Sequence, residues 1–397
     1  MKAVWWLALT MTFTFPLLTG CWDRLEIEDR GTILGLAVDP VLGEHISNLS
    51  GPAAKSDARG YKLTAQVAIP GRIPLGPGEG GTGSPSEKPV WVVSATGKTI
   101  QDAMNGLQQQ LADKVFLGHL RVILVNQQLA NTVGIVDIQD FLRRNAEIRR
   151  LAWLVVSKGA ADKAMEAAPK LERVPTLYLV GTLDHAVQMG KMPNLFLGNY
   201  WSVYSAKGQE PLLPYVSVRD GDVIRIEGLA AFRGGHMVGA LDPLETASYM
   251  EMTDQRRAGY GIAYPMPGDP EHSVILRGTN RRSRTRVHHD GQRLSVDVYS
   301  RIEVNIEEKT GTRPVDTAIP QIADEASQAA AQGQLELVKK TQGWKADIFG
   351  IGEYVRGRDP ELWKTISTRE KWEEIYATLP FRTHVKVYIR RSGMSAR

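Results

Sequence analysis

The chain's single cysteine directly follows an apolar amino-terminal segment, and this arrangement constrains the chain more than any other feature. The apolar run covers residues 3–18 and is followed by Thr19, Gly20 and Cys21. A leucine, two small residues and a cysteine at the end of such a run are typical of a bacterial lipoprotein signal. In such proteins diacylglycerol is attached to the cysteine thiol and a signal peptidase cleaves just before it. The sequence therefore predicts a signal peptide at 1–20, cleavage between Gly20 and Cys21, and lipidation of Cys21.

Two other interpretations of this segment are a signal peptide with a chance cysteine and an uncleaved membrane helix. As a helix, residues 3–18 would span about 24 Å at ~1.5 Å per residue, less than the ~30 Å hydrocarbon core of a bilayer. Pro16 also interrupts a helix near its end. Two acyl chains suffice for stable anchoring. We therefore expect an extracytoplasmic mature chain that is tethered to a membrane at Cys21.

Length and composition indicate an ordinary folded protein behind this tether. The chain has 397 residues, of which 43% are hydrophobic and 23% charged, and this length suits two or three domains. A single cysteine excludes an internal disulfide. The formal net charge of +4 suits the neighbourhood of an anionic membrane, but it is too small to indicate a nucleic-acid partner.

The first half alternates strand and helix patterns, which predicts an α/β or α+β domain at 21–207. Thr99 and Asp102 form a helix-capping pattern. Apolar runs and alternating patterns predict strands and helices along this half. The strands are expected at 32–38, 61–69, 90–94, 120–126 and 151–157, and the helices after Thr99 and at 137–145, 160–168 and 176–189.

The segment 70–89 is rich in Gly, Pro and Ser, and we expect it to be a mobile surface loop. Its residues 76–81 match the pattern GxGxxG. A dinucleotide site needs a helix amino terminus directly after that pattern, and the sequence predicts none there. Gly97-Lys98-Thr99 resembles the end of a phosphate-binding loop but lacks its first glycine. The sequence thus indicates no cofactor.

The second half changes to paired strands, and the segment 208–214 is the expected linker. The domain at 215–397 is predicted to be α+β and rich in antiparallel pairs, with a hairpin turn at Asp290-Gly291. Its strands and helices are read from the same patterns as above. The strands are expected at 223–232, 236–240, 274–277, 284–289, 293–305 and 381–390, and the helices at 244–257, 319–341, 360–366 and 370–377.

No constellation in the sequence indicates catalysis or metal binding. The chain contains no GxSxG pattern, and the adjacent His288 and His289 would point to opposite faces of a strand. The basic run 281–286 is expected to be a solvated strand and turn, or else a contact for phospholipid headgroups or an acidic partner. Trp344, Trp363 and Trp372 are expected in the core, with partner binding as the alternative.

Motifs distributed over the mature chain resemble the Ger(x)C family, the lipoprotein C subunits of spore germinant receptors. The amino-terminal part carries Cys21-Trp22-Asp23-Arg24 and Gly118-His119. The second half carries Gly228-Leu229-Ala230-Ala231-Phe232. The motifs near the carboxyl terminus are Asp347-Ile348-Phe349-Gly350, Gly352-Glu353, Trp363, Trp372 and Arg390-Arg391-Ser392-Gly393.

The resemblance implies an α+β protein on the outer face of the spore inner membrane, in a nutrient-sensing complex with two integral-membrane subunits called A and B. It also implies that the first half of the chain subdivides further. It assigns no enzymatic activity, cofactor or ligand to the C subunit. We therefore expect a non-enzymatic receptor subunit. An extracytoplasmic lipoprotein that captures the nutrient itself is the alternative, and a lipid-tethered surface hydrolase is a third, less favoured one.

Overall fold

The computed structural model describes Trp5 and residues 30–41, 60–70, 72, 88–168, 172–220, 222–291, 293–312, 314–366 and 368–391. Gly20, Cys21 and the greater part of the predicted loop at 70–89 lie outside these ranges. Within them, strands and helices alternate along the chain and build two separate sheets. The α+β fold class predicted from the sequence is therefore confirmed.

The larger sheet has nine strands among the described residues, in the order β3-β2-β1-β5-β6-β7-β8-β9 with β4 beside β1. Its centre, from β1 through β5 and β6 to β7, is parallel, and both ends are antiparallel. The strands are β1 (Arg30–Val41), β2 (Gly60–Ala68), β3 (Val90–Gly97), β4 (Lys114–Phe116), β5 (Val122–Asn126), β6 (Trp153–Ser157), β7 (Leu212–Arg219), β8 (Val223–Arg233) and β9 (His236–Leu241).

The central strands are continuous apolar runs because helices cover both of their faces. Val122–Asn126 and Trp153–Ser157 are buried almost throughout, as is usual in parallel sheets. The helices of this region are α1 (Ile100–Gln108), α2 (Gln127–Thr132), α3 (Val136–Arg144), α4 (Pro175–Gln188), α5 (Leu197–Ser205) and α6 (Pro243–Met252). Helices α1, α2, α3 and α5 share one core with the sheet, and α4 and α6 share the core on the other face.

The smaller sheet has the strand order β10-β11-β12-β13. Its longest strand, β11, is one continuous 21-residue strand, where the sequence predicted two short ones. The expected hairpin at Asp290-Gly291 is confirmed, because Gly291 has a φ of +88° and Asp290 accepts a hydrogen bond from the Arg293 amide. The strands are β10 (Gly261–Met266), β11 (Asp269–His289), β12 (Leu294–Lys309) and β13 (Phe381–Arg391).

The carboxyl-terminal helices join the two sheets. They are α7 (Ile319–Gly343), α8 (Ile351–Arg358), α9 (Pro360–Ile366) and α10 (Arg369–Thr378). Helix α7 is about 38 Å long at ~1.5 Å per residue. Its first half contributes Ile322 and Ala326 to the core of the smaller sheet, and its second half contributes Leu337 to the core of the larger one. The two sheets therefore share one packed helix.

Two expectations about chain organisation differ from the structure. The segment 208–214 was expected to link two domains, but Leu212 begins strand β7 inside the larger sheet. Strands β8 and β9, expected with the second half, complete that same sheet. The local pattern identified these strands, but their alternation carries no information on which sheet they join. The division of the chain into domains stays a prediction of the sequence.

Smaller corrections concern element type and length. The helix expected at 160–168 is only a short 3₁₀ turn at Asp162–Met165, and the helix expected at 244–257 ends at Met252.

The final strand β13 pairs with β12 in a parallel manner, beside the two antiparallel pairs that the sequence led us to expect in this half. The parallel pairing is possible because α7 runs back along the sheet before α8, α9 and α10 lead into that strand. Along this path Ser327 of α7 accepts a hydrogen bond from the Val387 amide, and the Ala331 carbonyl accepts one from the Thr383 hydroxyl.

Candidate functional site

The predicted lipidation and cleavage residues, Cys21 and Gly20, lie outside the described residues, so their place in the molecule stays a prediction. None of the helices in the described ranges has the length and apolar character that a membrane span requires. The same ranges hold no cluster of three or more His, Cys, Asp or Glu side chains suited to a metal ion. Three polar arrangements of the described residues are relevant: a buried junction, an open groove and a half-buried acid beside a buried arginine.

The junction is centred on Asp347, which lies in the loop between α7 and α8. One carboxylate oxygen accepts hydrogen bonds from the amides of Phe349 and Gly350, at 3.1 and 2.9 Å. The other accepts from the Gly352 amide at 2.8 Å and from the Trp372 indole at 3.0 Å. Burial raises the pKa of Asp347 to about 6, although all four donors favour the carboxylate. This side chain fixes the start of α8 and the position of α10.

The junction extends to an ion pair between the two halves of the chain. Arg369, at the start of α10, donates to the Glu210 carboxylate at 2.9 and 3.2 Å. It also donates to the carbonyls of Tyr204 and Ala206, both at 2.6 Å. Glu210 is only 3% exposed. Burial raises the pKa of Glu210 to about 7, and the Arg369 guanidinium opposes that rise. The pair ties the end of α5 to α10.

Close backbone packing completes the junction. The backbones around Gly208 and Gly352 lie so near each other that a Cβ on Gly352 would come within 2.6 Å of the Gly208 Cα. It would also come within 2.5 Å of the Trp372 indole nitrogen. Glu353 accepts a hydrogen bond from the Gly208 amide at 2.9 Å. The motif residues Asp347, Gly352 and Trp372 thus act together, as parts of one structural junction rather than as a reactive site.

An open groove of about 920 Å³ lies between the start of α1 and α3. The Tyr61 hydroxyl donates to Asp137 at 2.9 Å on its wall. Asp140 and Arg144 form an exposed pair on α3 at 2.7 Å, and the hydrogen bond from Arg144 lowers the pKa of Asp140. The side chains that line the groove carry both signs of charge, and the groove is large enough for a small molecule. The groove lacks an activated nucleophile, and its acids already have hydrogen-bond partners.

A further acid, Glu251 on α6, lies half-buried beside α7 and the smaller sheet. It accepts a hydrogen bond from the Gln334 amide at 3.1 Å, and burial raises its pKa to about 7. Arg281 of β11 is 3% exposed and donates to the Gly190 carbonyl at 2.8 Å. Burial lowers the pKa of Arg281 to about 10. The small space between Glu251 and Arg281 measures about 40 Å³, which is water-sized.

The structure places the other residues that the sequence singled out. Trp363 and Trp372 are buried in one core with their rings 5.9 Å apart, so the core prediction is confirmed for both. Trp344 is partly buried beside the larger sheet. The basic run 281–286 lies in β11 as an alternating strand. Arg281 is buried, and Arg282, Arg284 and Arg286 are exposed. The Glu210–Arg369 pair was missed, because no local pattern connects two residues so far apart in sequence.

Comparisons with known proteins agree along the whole chain. The family model described as spore germination protein N-terminal domain matches residues 23–218. The model described as spore germination B3/GerAC like, C-terminal, matches residues 227–393. Spore germination protein KC of Bacillus subtilis is 23% identical over 98% of this chain and 96% of that protein. Spore germination protein GerQC of Bacillus cereus is 20% identical over 84% of this chain and 90% of that protein.

A solved structure supports the fold. The crystal structure of the GerBC protein superposes with a TM-score of 0.57 and 17% identity, covering 84% of this chain and 94% of that one. The arrangement of two sheets around a shared helix is therefore that of a known class of α+β spore germination proteins. This chain belongs to the spore germination GerAC-like family, as the resemblance to Ger(x)C proteins predicted.

Proposed function

We propose that this protein is a non-enzymatic subunit of a nutrient germinant receptor, held on the outer face of the spore inner membrane by diacylglycerol on Cys21. The observation that carries the proposal is the match of both halves to spore germination family models, from residue 23 to residue 393. The predicted signal peptide at 1–20 and the predicted lipidation residue Cys21 precede the first matched residue, Asp23, with only Trp22 between. Integral-membrane A and B subunits are the proposed partners.

The buried polar groups are consistent with a structural and coupling role rather than catalysis. Asp347 and Glu210 use their carboxylates to fasten backbone and helices, as their hydrogen bonds show. A catalytic acid needs access to a substrate. At 2% and 3% exposure, neither carboxylate has that access.

The test of this proposal is a Cys21→Ala variant expressed in place of the natural protein. Metabolic labelling with a fatty-acid analogue should mark the natural chain and not the variant. Spores that carry the variant should respond poorly to the nutrient while still germinating with a trigger that bypasses receptors. Equal labelling of both chains would disprove the anchor, and normal nutrient germination without the protein would disprove the receptor role.

Direct nutrient capture is the second candidate, favoured by the groove of about 920 Å³ near Tyr61 and Asp137. A ligand at a hundredfold excess over its Kd stabilises a protein by ~2.7 kcal/mol. Thermal unfolding of the chain with amino acids, sugars and nucleosides therefore separates the two candidates. We expect no saturable shift with any single nutrient. A shift that disappears in Tyr61→Phe would favour nutrient capture.

A further inference from the structure

The outer face of the smaller sheet carries an array of exposed cations. Successive side chains of a strand point to opposite faces, so Arg282, Arg284 and Arg286 of β11 all lie on one face. All three are exposed. Among the described residues none of them forms a salt bridge, and Arg286 lies over the Tyr299 ring at 5.3 Å. These three arginines are therefore available to bind an external anion.

The two neighbouring strands extend the same array, which we call the basic face. Strand β12 adds Asp297, Tyr299, Arg301 and Glu303. Strand β13 adds Arg382, His384, Lys386, Tyr388 and Arg390. Seven Arg and Lys side chains against these two carboxylates and Asp324 of α7, which pairs with Lys386, leave a net charge of +4. The whole chain has a formal net charge of +4, so this face carries all of its net positive charge.

The register across the basic face places like charges side by side. Arg282 pairs with Arg301 on β12, and Arg301 pairs with Lys386 on β13. Like charges directly opposite each other on neighbouring strands destabilise a sheet. Glu303 lies 3.3 Å from Arg301, and Asp324 lies 2.9 Å from Lys386, whereas no acid of the described residues forms a salt bridge with Arg282. Folding alone does not account for this row of cations.

The basic face is open to solvent and carries a shallow groove of about 650 Å³, whose lining includes Arg282, Arg284, Tyr299, Arg301 and Lys386. Among the described residues, the helices that share a core with the smaller sheet, α7 among them, lie against the opposite face, where Ile322 and Ala326 join that core. Ser327 of α7 borders the groove on the basic face. Tyr299 and Tyr388 are exposed on the outer face. Arg301 lies over the Tyr388 ring at 4.4 Å. Strands about 4.8 Å apart, with outward side chains every second residue, present the cations in rows along this open surface.

We propose that the basic face binds the anionic phospholipid headgroups of the membrane to which the chain is tethered. The proposal rests on the proposed lipid anchor for its source of anions. Eight residues lie between Cys21 and Arg30, where β1 begins, and the nine steps from Cys21 to Arg30 reach at most about 32 Å. An exposed array of cations beside the amphipathic side chains of Tyr299 and Tyr388 suits the interface of an anionic membrane, where basic residues are attracted to the headgroups and tyrosines lie at the headgroup level.

The test uses residues 22–397, which retain every described strand and helix and lack only the signal segment and the lipidated cysteine. The protein is mixed with vesicles of phosphatidylcholine alone or with about 30% phosphatidylglycerol, and binding is measured by flotation. We expect binding to the anionic vesicles only, and its loss when NaCl is raised from about 0.05 to 0.5 M. Because the tested chain carries no lipid, the result is independent of whether Cys21 is modified.

Two variants distinguish binding by the basic face from a general effect of the protein's net charge. The triple variant Arg282→Ser, Arg284→Ser and Arg286→Ser should bind on the order of 100-fold more weakly, because each basic residue near the surface contributes ~1 kcal/mol. A control triple variant removes the same charge at three exposed positions elsewhere and should bind as the natural chain does. The control substitutions are Arg121→Ser, Lys158→Ser and Lys163→Ser.

A charge-preserving variant guards against a folding defect. Arg282→Lys, Arg284→Lys and Arg286→Lys together should retain binding within a fewfold, because the attraction depends on charge. Equal binding to neutral and anionic vesicles would overturn the proposal, as would equal loss in the serine and control triples. Tighter binding to polyglutamate than to anionic vesicles would also overturn it, in favour of an acidic protein partner.

Discussion

The Arg369 guanidinium lies 2.9 Å from the Glu210 carboxylate and joins the end of the first half of the chain to helix α10. Side-chain exposure is 19% for Arg369 and 3% for Glu210. Removing one partner of a buried ion pair leaves an uncompensated charge and typically costs ~3–5 kcal/mol. We expect Arg369→Ala to lower the free energy of unfolding by about that amount in urea denaturation.

The matched control for this substitution is Lys364→Ala on the neighbouring helix α9. Lys364 pairs with Glu361 at 2.6 Å, and both side chains are at least 71% exposed. Exposed pairs contribute ~0–1 kcal/mol, so this variant should unfold almost as the natural protein does. Similar losses of unfolding free energy in Arg369→Ala and Lys364→Ala would show that the buried pair contributes no more to stability than the exposed pair does.

The close approach at Gly352 predicts opposite effects of one substitution at two positions of α8. In Gly352→Ala the new methyl group meets the Gly208 backbone, and overpacking of this kind costs ~1–3 kcal/mol. Gly357→Ala has nothing within 4 Å of its Cβ. It should be neutral or stabilise the helix by up to ~1 kcal/mol. Thermal unfolding of the two variants checks this, and a stable Gly352→Ala would contradict the packing.

The raised pKa of Glu251 predicts a specific dependence of stability on pH. Its folded-state pKa is about 7 against an ordinary 4.5, because burial disfavours the charged form. The folded state therefore binds the proton more tightly than the unfolded state does, and this group stabilises the fold as pH falls from about 7 to about 4.5. Glu251→Gln cannot titrate. The difference in unfolding free energy between this variant and the natural protein should favour the variant most above pH 7, and this advantage should decline towards pH 5. A difference that stays constant with pH would contradict this.

The buried position of Phe232 predicts a large loss on truncation. Phe232 is 0% exposed and packs edge-on against Tyr200, with ring centroids 6.1 Å apart. Replacing a buried phenylalanine with alanine typically costs ~3–5 kcal/mol. Phe232→Ala should therefore reduce both the unfolding free energy and the protein level in spores. Trp91 is 48% exposed, and Trp91→Ala is the control. Unchanged stability of Phe232→Ala with lost complex assembly would instead assign the residue to a partner surface.

The parts of the fold that depend on local chemistry were predictable from the sequence. Thr99 caps α1 by accepting from the Asp102 amide, as its spacing indicated. The hairpin turn at Asp290-Gly291 followed from the same kind of local rule. The assignment of β8 and β9 to the larger sheet was not predictable, because strand alternation specifies a buried face and not a partner strand. The short strand β10 was missed altogether, since only its pairing with β11 explains it.

The candidate junction shows the same limit at the level of single side chains. The sequence picked out Asp347, Gly352 and Trp372 as motif residues without indicating that they meet. Their meeting depends on the return of α10 to the loop after α7. The basic run at 281–286 was visible, but its separation into one buried and three exposed arginines required the strand register. Long-range contacts of this type carry no periodic signal.

The strand order of the larger sheet has a consequence for how such chains exchange parts during evolution. The two family models meet between residues 218 and 227, which is the turn joining β7 to β8. A crossover between two relatives at that turn would combine strands β1 to β7 of the larger sheet from one parent with its last two strands from the other. Such hybrids would need matched side chains along the whole β7–β8 pairing, from the Leu212–Ala231 pair to the Arg219–Val223 pair. The larger sheet is therefore preserved when the chain is inherited without a break at least as far as Leu241, where β9 ends.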